Sequence, residues 1–338
     1  MARDPPSIEV KAPLGDLVDL GAAGAEVVEF DRGSSDRPGS GLGVVRIGVH
    51  RAGPLPDEDF QRFDILLSAD SAAPEPWVGL AGAALDEALG ALRRRIASQP
   101  IAASVAAQVL GISLTVPFDT ALGVESLAYS MLLASSGFRA WRDATPRRER
   151  GGDDGPRVAV EEVDGVLQIR LTRPAARNAL DARMRDELVE ALDFATYHHP
   201  DKPMVVLRGA GPAFSAGGDL DEFGTAADVG AAHLIRSFRS PARLVHALEA
   251  RITVLVHGAC IGAGIEVPAA AASVIARPEA FFRLPEVSMG LIPGAGGTAS
   301  IPRRIGRHRA CYMAISGADI DLATALKWGL VDAIGDGP

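Results

Sequence analysis

The sequence predicts an α/β protein with an associated helical region, for three reasons. From Val158 onward, short runs rich in β-branched and apolar residues alternate with segments of helical apolar spacing, the order of βα units. Residues 80–141 have mainly helical spacing. Hydrophobic residues make up 47% of the 338 residues, which is enough for a sizeable core, so we do not expect a disordered chain.

The elements follow from local patterns. The turn-rich residues 31–43 predict a loop, after which we expect strands at 44–50 and 63–68 around a short helix at 56–63. Helices fill residues 80–141, with breaks at Pro100 and Pro117. The charged, glycine-rich residues 147–156 predict a linker. Beyond it we expect strands at 158–162, 166–171, 204–208 and 252–257 and helices at 182–197 and 227–249. The predicted regions are an N-terminal extension (1–80), a helical segment (81–150) and an α/β core (151–338).

Composition narrows the class of protein. The net charge is −9, whereas a nucleic-acid-binding surface needs a basic stripe. The only cysteines are Cys260 and Cys311, so we expect no disulfide framework and a cytoplasmic location. No run reaches membrane-spanning length, the N-terminus lacks an apolar signal core, and the histidines have no metal-ligand spacing. We therefore expect neither nucleic acid, membrane nor metal as a partner.

Two glutamates stand out as candidate catalytic residues. Glu266 ends the glycine-rich stretch GACIGAGIE and leads into an alanine-rich segment that we expect to be helical. Glu286 follows 20 residues later, after a short apolar run. Such a βαβ-like path brings both carboxyl groups to one cavity, where one acts as base and the other as acid. Two more glycine-rich turns, at 214–220 and 290–298, offer free backbone N–H groups.

At these residues the chain resembles the crotonase family, also called the enoyl-CoA hydratase/isomerase superfamily. The resemblance covers about 158–334 and rests on four motifs in the family's order, at 171–180, 214–219, 258–266 and 285–298. It implies a crotonase-like (ββα) superhelix and an enolate mechanism on an acyl thioester. Two backbone N–H groups, of Gly218 and Ala263, would stabilise the enolate oxygen.

The same resemblance implies a role for both glutamates. In the family's hydratases Glu266 would take a proton from water as the water adds to the β-carbon, and Glu286 would deliver a proton to the α-carbon. The N–H of Gly294 would orient that water. Isomerases of the family commonly keep only the later glutamate, so the presence of both favours enoyl-CoA hydration.

The resemblance also implies where coenzyme A binds. The residues expected around it are Ala176, Arg177, Ala216, Gly218, Asp219 and Leu220. For the 3′-phosphate we expect Arg148, with Arg142, Arg147, Arg303 and Arg304 as alternatives. Coenzyme A is part of the substrate, so no separate cofactor is expected. Because family members are commonly oligomeric, the resemblance also implies a homo-oligomer, either a trimer or a hexamer.

The helical segment stands in an unusual place. Residues 84–104 and 125–139 are similar to the two halves of the helical tail that family members carry after a strand such as 329–334. Here they precede the core. We expect a circular permutation in which these helices cover the active site; the alternative is an unrelated helical domain.

Three residues depart from the family pattern: Pro268, which is expected to kink the helix after Glu266; Ala272, at a position usually held by aspartate; and Arg283. We expect Arg283 either to pair with Glu286 and lower its pKa or to recognise a polar acyl chain. These departures keep open an isomerase, an acyl-CoA hydrolase, a cofactor-independent dioxygenase and a non-catalytic acyl-CoA-binding subunit.

Overall fold

The computed structural model describes residues 24–30, 43–57, 59–148 and 155–337. Most of the predicted loop at 31–43 and of the predicted linker at 147–156 lies outside these residues. The described strands are β1 (Ala25–Glu29), β2 (Val45–His50), β3 (Ile65–Ser68), β4 (Val78–Gly79), β5 (Val158–Val163), β6 (Val166–Leu171), β7 (Met204–Gly209), β8 (Ile252–Val256), β9 (Ala259–Ile261), β10 (Ser273–Ala276), β11 (Phe281–Arg283), β12 (Ile320–Asp321) and β13 (Ala333–Ile334). The described α-helices are α1 (Ala83–Ser98), α2 (Pro100–Ser113), α3 (Phe118–Leu133), α4 (Ser136–Ala144), α5 (Ala182–Asp193), α6 (Val229–Phe238), α7 (Pro241–Leu248), α8 (Ala263–Glu266), α9 (Gly297–Ile305), α10 (Arg307–Ser316) and α11 (Leu322–Trp328).

The strands form three sheets. A six-stranded sheet has the order β13-β10-β8-β7-β6-β5 and is parallel except for the β5–β6 hairpin. A three-stranded sheet has the order β12-β11-β9; β9 leads into the glycine-rich turn before Glu266, and β11 leads to Glu286. The N-terminal strands make a separate parallel sheet in the order β1-β2-β3-β4. The predicted α/β class is confirmed.

The predicted breaks between helices are found in the helical segment. Pro100 occupies the first turn of α2, where its missing N–H costs no helical hydrogen bond, and Pro117 is the N-cap of α3. Helical spacing predicts two apolar stripes that pack on the core, one of Leu85, Leu89, Leu92 and Ile96 and a second of Leu127, Met131 and Leu132. The first lies on α1 and is buried, as expected. Sequence spacing was sufficient to predict these breaks and this stripe, because both depend on residues close together in the chain.

The second predicted stripe is only partly correct. Leu132 is buried, but Leu127 and Met131 are more than half exposed. The buried face of α3 carries Glu125 and Tyr129 instead. A single helix pattern could not reveal this, because the buried side of α3 packs partly on the apolar core and partly against a cavity that also contains charged residues.

The N-terminal sheet and the helical segment share the core of the rest of the chain. One continuous cluster of buried apolar side chains joins residues of β2, α1, α2, β7 and α10. The Arg303 guanidinium on α9 donates to Ser113 O at 3.0 Å, at the end of α2. Likewise Nε of Arg309 on α10 donates to Trp77 O at 3.0 Å. The N-terminal extension, the helical segment and the core are therefore packed on one another.

Three predicted helices differ from the structure. The helix expected at 56–63 is a single 3₁₀ turn, Phe60–Arg62. The helix expected at 227–249 is two helices, because Ser240 caps a new helix that begins at Pro241. The long helix expected after Glu266 is wrong: α8 ends at Glu266, and Pro268 starts a 3₁₀ turn that leads into β10.

A membrane-spanning segment was not expected. Among the described residues no single helix has the length and apolar character to cross a bilayer, although α1 and α2 reach it together across a bend of 109°.

Candidate active site

The first glycine-rich turn places a helix N-terminus at the end of β9. Gly262 has φ 52°, a left-handed value that a residue with a side chain adopts only at a cost. Its N–H donates to Arg283 O on β11 at 2.9 Å. Ala263 is then the first residue of α8, where a backbone N–H has no partner within the helix. This N–H is therefore available to a ligand.

The second turn is held against the first by a parallel bridge. Ser215 N donates to Ala259 O at 3.3 Å, and Ile261 N donates to Ser215 O at 3.0 Å. Another bridge is made by Leu180, which donates to Gly217 O and accepts from Asp219 N. Gly218 lies between the two residues, Gly217 and Asp219, that bond to Leu180. In a parallel bridge the N–H of such a middle residue points away from the partner strand, so the N–H of Gly218 points away from Leu180.

Both N–H groups border the same cavity. Gly218 and Ala263 line a space of about 500 Å³, together with Glu266, Glu286 and Gly294. The structure thus brings all five predicted catalytic residues together. A Cβ on Gly262 would collide with Oε1 of Glu286 and lie 3.7 Å from Oε1 of Glu266, so the two carboxylates approach each other beside that glycine.

Glu266 is held by the loop that begins at Gly294. Its Oε2 accepts hydrogen bonds from Ala295 N at 2.7 Å and from Gly297 N at 2.9 Å. Glycine is needed at 297, since a Cβ there would lie 2.6 Å from Cγ of Glu266. The side chain is 1% exposed. Burial raises the pKa of Glu266 well above its ordinary value, and the charges of Glu286 and Glu125 act in the same direction.

Glu286 lies in a 3₁₀ turn that follows β11. Burial raises its pKa to about 8, with a further contribution from the charge of Glu125. Its Oε2 has no hydrogen-bond partner among the described residues. The expected pairing with Arg283 is wrong: the Arg283 guanidinium makes a bidentate bond to Asp319, at 2.6 Å for each oxygen. Arg283 also does not line the cavity.

Glu125 and Tyr129, both on α3, were missed by the sequence analysis. Glu125 is 2% exposed and accepts from Gly296 N at 2.7 Å, from Thr298 N at 2.8 Å and from the Thr298 hydroxyl at 2.7 Å. Successive amides of the loop therefore alternate between Glu266 and Glu125. The only available signal was a glutamate in an apolar, alanine-rich helix, with an aromatic residue four positions later.

We expect Glu125→Ala to lower the free energy of unfolding by at least about 2 kcal/mol, because three buried donors lose their acceptor. The matched control is Glu87→Ala, since Glu87 is an exposed glutamate on α1. Urea unfolding of the two variants beside the wild type measures the difference. Equal losses in both variants would show that Glu125 does not hold the loop.

We also expect stability to fall as pH rises. The ordinary pKa of a glutamate is 4.5, and that of Glu286 is about 8. The stabilisation from burying the protonated group is complete below about pH 4.5 and is lost as pH rises through about 8. Across this interval Glu286→Gln should remove about 1 kcal/mol or more of the decline in unfolding free energy. Glu279→Gln, at an exposed position, should leave the decline unchanged.

A second cavity, of about 610 Å³, adjoins the first at Gly218 and Asp219. All of the residues predicted to contact coenzyme A line it, namely Ala176, Arg177, Ala216, Gly218, Asp219, Leu220 and Arg148. Asp219 is a structural anchor of the turn: its Oδ2 pairs with Arg173 at 2.7 Å, and its Oδ1 accepts from Asp221 N at 3.2 Å.

The basic residues proposed for the phosphate differ in position. Arg142 and Arg147 donate to main-chain oxygens of the turn at 220–223, and Arg148 pairs with Asp221 at 3.3 Å while its side chain is 62% exposed. Arg303 is bonded to α2, and Arg304 to Asp332. Of these five arginines only Arg148 lines the second cavity.

Residues 161–335, just over half of the chain, match the Enoyl-CoA hydratase/isomerase family. The chain belongs to this family. The 2,3-dehydroadipyl-CoA hydratase of Escherichia coli K12 is 36% identical over 179 residues, which are 52% of this chain and 68% of that protein. An enoyl-CoA isomerase/hydratase of Mycosarcoma maydis is 30% identical over 184 residues, 52% of this chain and 67% of its own length.

Among solved structures, the enoyl-CoA hydratase of Bacillus anthracis is 30% identical, with a TM-score of 0.49 over 53% of this chain and 70% of that one. The chain thus spans about two thirds of the curated relatives named above. The prediction of a crotonase-family enzyme of the enoyl-CoA hydratase/isomerase class is confirmed.

Proposed function

We propose that this enzyme adds water across the double bond of an α,β-unsaturated acyl-CoA. The observation that carries the proposal is one cavity bordered by two backbone N–H groups, of Gly218 and Ala263, and by two buried carboxylates. Donors fixed in a water-poor site stabilise an enolate oxygen strongly, and loss of one typically costs about 10²–10³ in rate.

The two glutamates would hold unlike protonation states. Burial raises the pKa of both carboxyl groups, and their closeness favours a state in which only one of them is ionised. We assign the charge to Glu266, because two N–H groups donate to its Oε2 and oppose the effect of burial, whereas Glu286 Oε2 lacks a described partner. Glu266 would take a proton from a water oriented by the N–H of Gly294. The resulting hydroxide forms a bond to the β-carbon as the π electrons move to the thioester oxygen. Glu286 then delivers its proton to the α-carbon, so the enolate collapses to the 3-hydroxyacyl-CoA.

The second cavity would hold coenzyme A. It meets the first at Gly218, so a thioester carbonyl bound there would lie at the junction between the pantetheine and acyl sides. The exposed guanidinium of Arg148 is the cation we assign to the 3′-phosphate. No separate cofactor is needed, since the substrate carries coenzyme A.

Hydration is tested by mixing the purified protein with crotonyl-CoA and with longer 2-enoyl-CoA esters. Loss of the absorbance of the conjugated thioester and recovery of a 3-hydroxyacyl-CoA support the proposal. Migration of the double bond without hydroxylation would support an isomerase, free coenzyme A a hydrolase, and consumption of dioxygen a dioxygenase. Tight binding with no product would support the non-catalytic alternative.

The setting of the enzyme is also proposed. Cys260 and Cys311 are buried free thiols, consistent with a reducing cytoplasm. Exposed apolar residues on the packed helices α3 and α6, such as Met131 and Phe238, are consistent with a homo-oligomer. Light scattering on the purified protein measures its mass, and a monomer would reject the oligomer.

A further inference from the structure

One of the arginines in the catalytic cavity lacks a carboxylate partner. The arginines that line this cavity are Arg185, Arg236, Arg239 and Arg243. Arg185 pairs with Asp186 at 2.9 Å, Arg239 with Glu190 at 3.9 Å and Arg243 with Asp119 at 4.0 Å. The Arg243 pair is at the limit of ion-pair distance, and its Nε makes no hydrogen bond to a described residue. No described carboxylate lies within 4.0 Å of the Arg236 guanidinium.

Arg236 is nonetheless held in place by α3. Its Nε donates to the Ser126 hydroxyl and its Nη2 to Ser126 O, each at 3.3 Å. Nη2 also donates to the Ser130 hydroxyl, and the guanidinium carbon lies 4.7 Å from the centre of the Tyr129 ring. Nη1 makes no hydrogen bond to any described residue. The guanidinium is therefore oriented while two of its N–H donors are unused.

Such an arrangement is costly without a ligand. Burial lowers the pKa of Arg236, yet a guanidinium stays charged in proteins. Arg236 attracts the charge of Glu125, but no described carboxylate is close enough to form an ion pair with it, so a partly buried cation of this kind loses hydration without full compensation. The attraction to Glu125 uses neither of the two Nη1 donors.

The position of Arg236 identifies the part of the substrate it would meet. Arg236 lines the cavity that contains Glu266 and Glu286, and it does not line the cavity assigned to coenzyme A. The Tyr129 ring beneath its guanidinium also packs on Gly294, since a Cβ on that glycine would collide with the ring. Because Arg236 lines the cavity of the glutamates and not the cavity assigned to coenzyme A, a group bound to it would belong to the acyl part of the substrate.

We infer that Arg236 binds a carboxylate at the far end of the acyl chain, so that the substrates are CoA thioesters of unsaturated dicarboxylic acids. This inference rests on the proposed function for the direction in which the thioester lies. A carboxylate matches the geometry of a guanidinium and accepts charge-assisted hydrogen bonds from it. The chain length that fits is set by the distance from the glutamates to Nη1.

The test is calorimetric titration of the full-length protein with saturated esters, which bind but are not hydrated. Each dicarboxylic ester is paired with the fatty ester of equal length: succinyl- with butyryl-CoA, glutaryl- with valeryl-CoA, adipyl- with hexanoyl-CoA, and suberyl- with octanoyl-CoA. For at least one pair we expect the dicarboxylic ester to bind about 10-fold more tightly or better. Arg236→Gln should abolish that preference, and Arg236→Lys should keep part of it.

Arg239→Gln is the matched control, because Arg239 lines the same cavity but is already paired with Glu190. It should leave the preference intact. Equal affinities within every pair in the wild type, or a preference that survives Arg236→Gln, would overturn the inference. If Arg236→Gln does not fold, the wild-type pairs and Arg236→Lys decide it. A preference without any hydration would reject the proposed hydratase reaction but not this site, whereas hydration without a preference would reject only the site.

Discussion

Replacing Glu286 by Gln is expected to lower kcat for enoyl-CoA hydration by at least about 10²-fold, while affinity for a saturated acyl-CoA stays nearly unchanged. The amide keeps the size of the side chain but has no acidic proton for the α-carbon, and proton transfer by a positioned group contributes about 10²–10⁴ in rate. The same loss is expected for Glu266→Gln. There the amide oxygen can still accept from Ala295 and Gly297, so the loop is preserved and only the base is removed.

Steady-state hydration of an enoyl-CoA measures kcat, and titration with a saturated ester measures affinity separately. Glu279→Gln is the control, because Glu279 is exposed and lies outside the cavity lining. Full activity in either variant would exclude the acid–base assignment. Loss only in Glu286→Gln would favour an isomerase, in which a single carboxyl group shuttles the proton.

A fragment that starts at Gly155 is expected to aggregate, or to lose measurable affinity for acyl-CoA. It lacks α3, and with it Glu125, Tyr129 and Leu122 of the cavity wall. The amides of Gly296 and Thr298 would lose their acceptor. The apolar surface of α9 and α10 that packs on α1 and α2 would face water, and exposed patches of this kind promote association.

Solubility and titration with an acyl-CoA measure the outcome, and residues 1–154 supplied as a separate chain should restore part of the binding. The control is the full-length chain purified in parallel. A soluble fragment with full activity would show that the N-terminal half is an independent appendage, and the predicted permutation would then fail.

The parts of the site that could be predicted are those encoded in short stretches. The glycine-rich turns at 214–220 and 258–266 place Gly218 and Ala263, because a left-handed glycine and a helix start are local properties. Glu266 was found because it ends the second of these turns, and Glu286 because it follows a short apolar run 20 residues later. The α/β class and the strands found as β5 to β8 followed from alternating strands and helices.

Other features depend on partners far away in the chain. Glu125 lies 171 residues before Gly296, to which it binds, and no local pattern predicts that contact. Arg283 was expected at Glu286 because the two are close in sequence, but Asp319, 36 residues later, holds it. The helix predicted after Glu266 failed because an alanine-rich composition was given more weight than Pro268.

The packing of α2 on α9 also has a consequence for synthesis on the ribosome. Ser113 and Arg303, which join these helices, are 190 residues apart. At about 5–20 residues per second, the later partner emerges roughly 10–40 s after the earlier one. During that time the surface of α2 that packs on α9 and α10 in the folded protein is exposed to solvent. The chain therefore passes through a long-lived nascent state with exposed apolar helices, which is the kind of species that chaperones recognise.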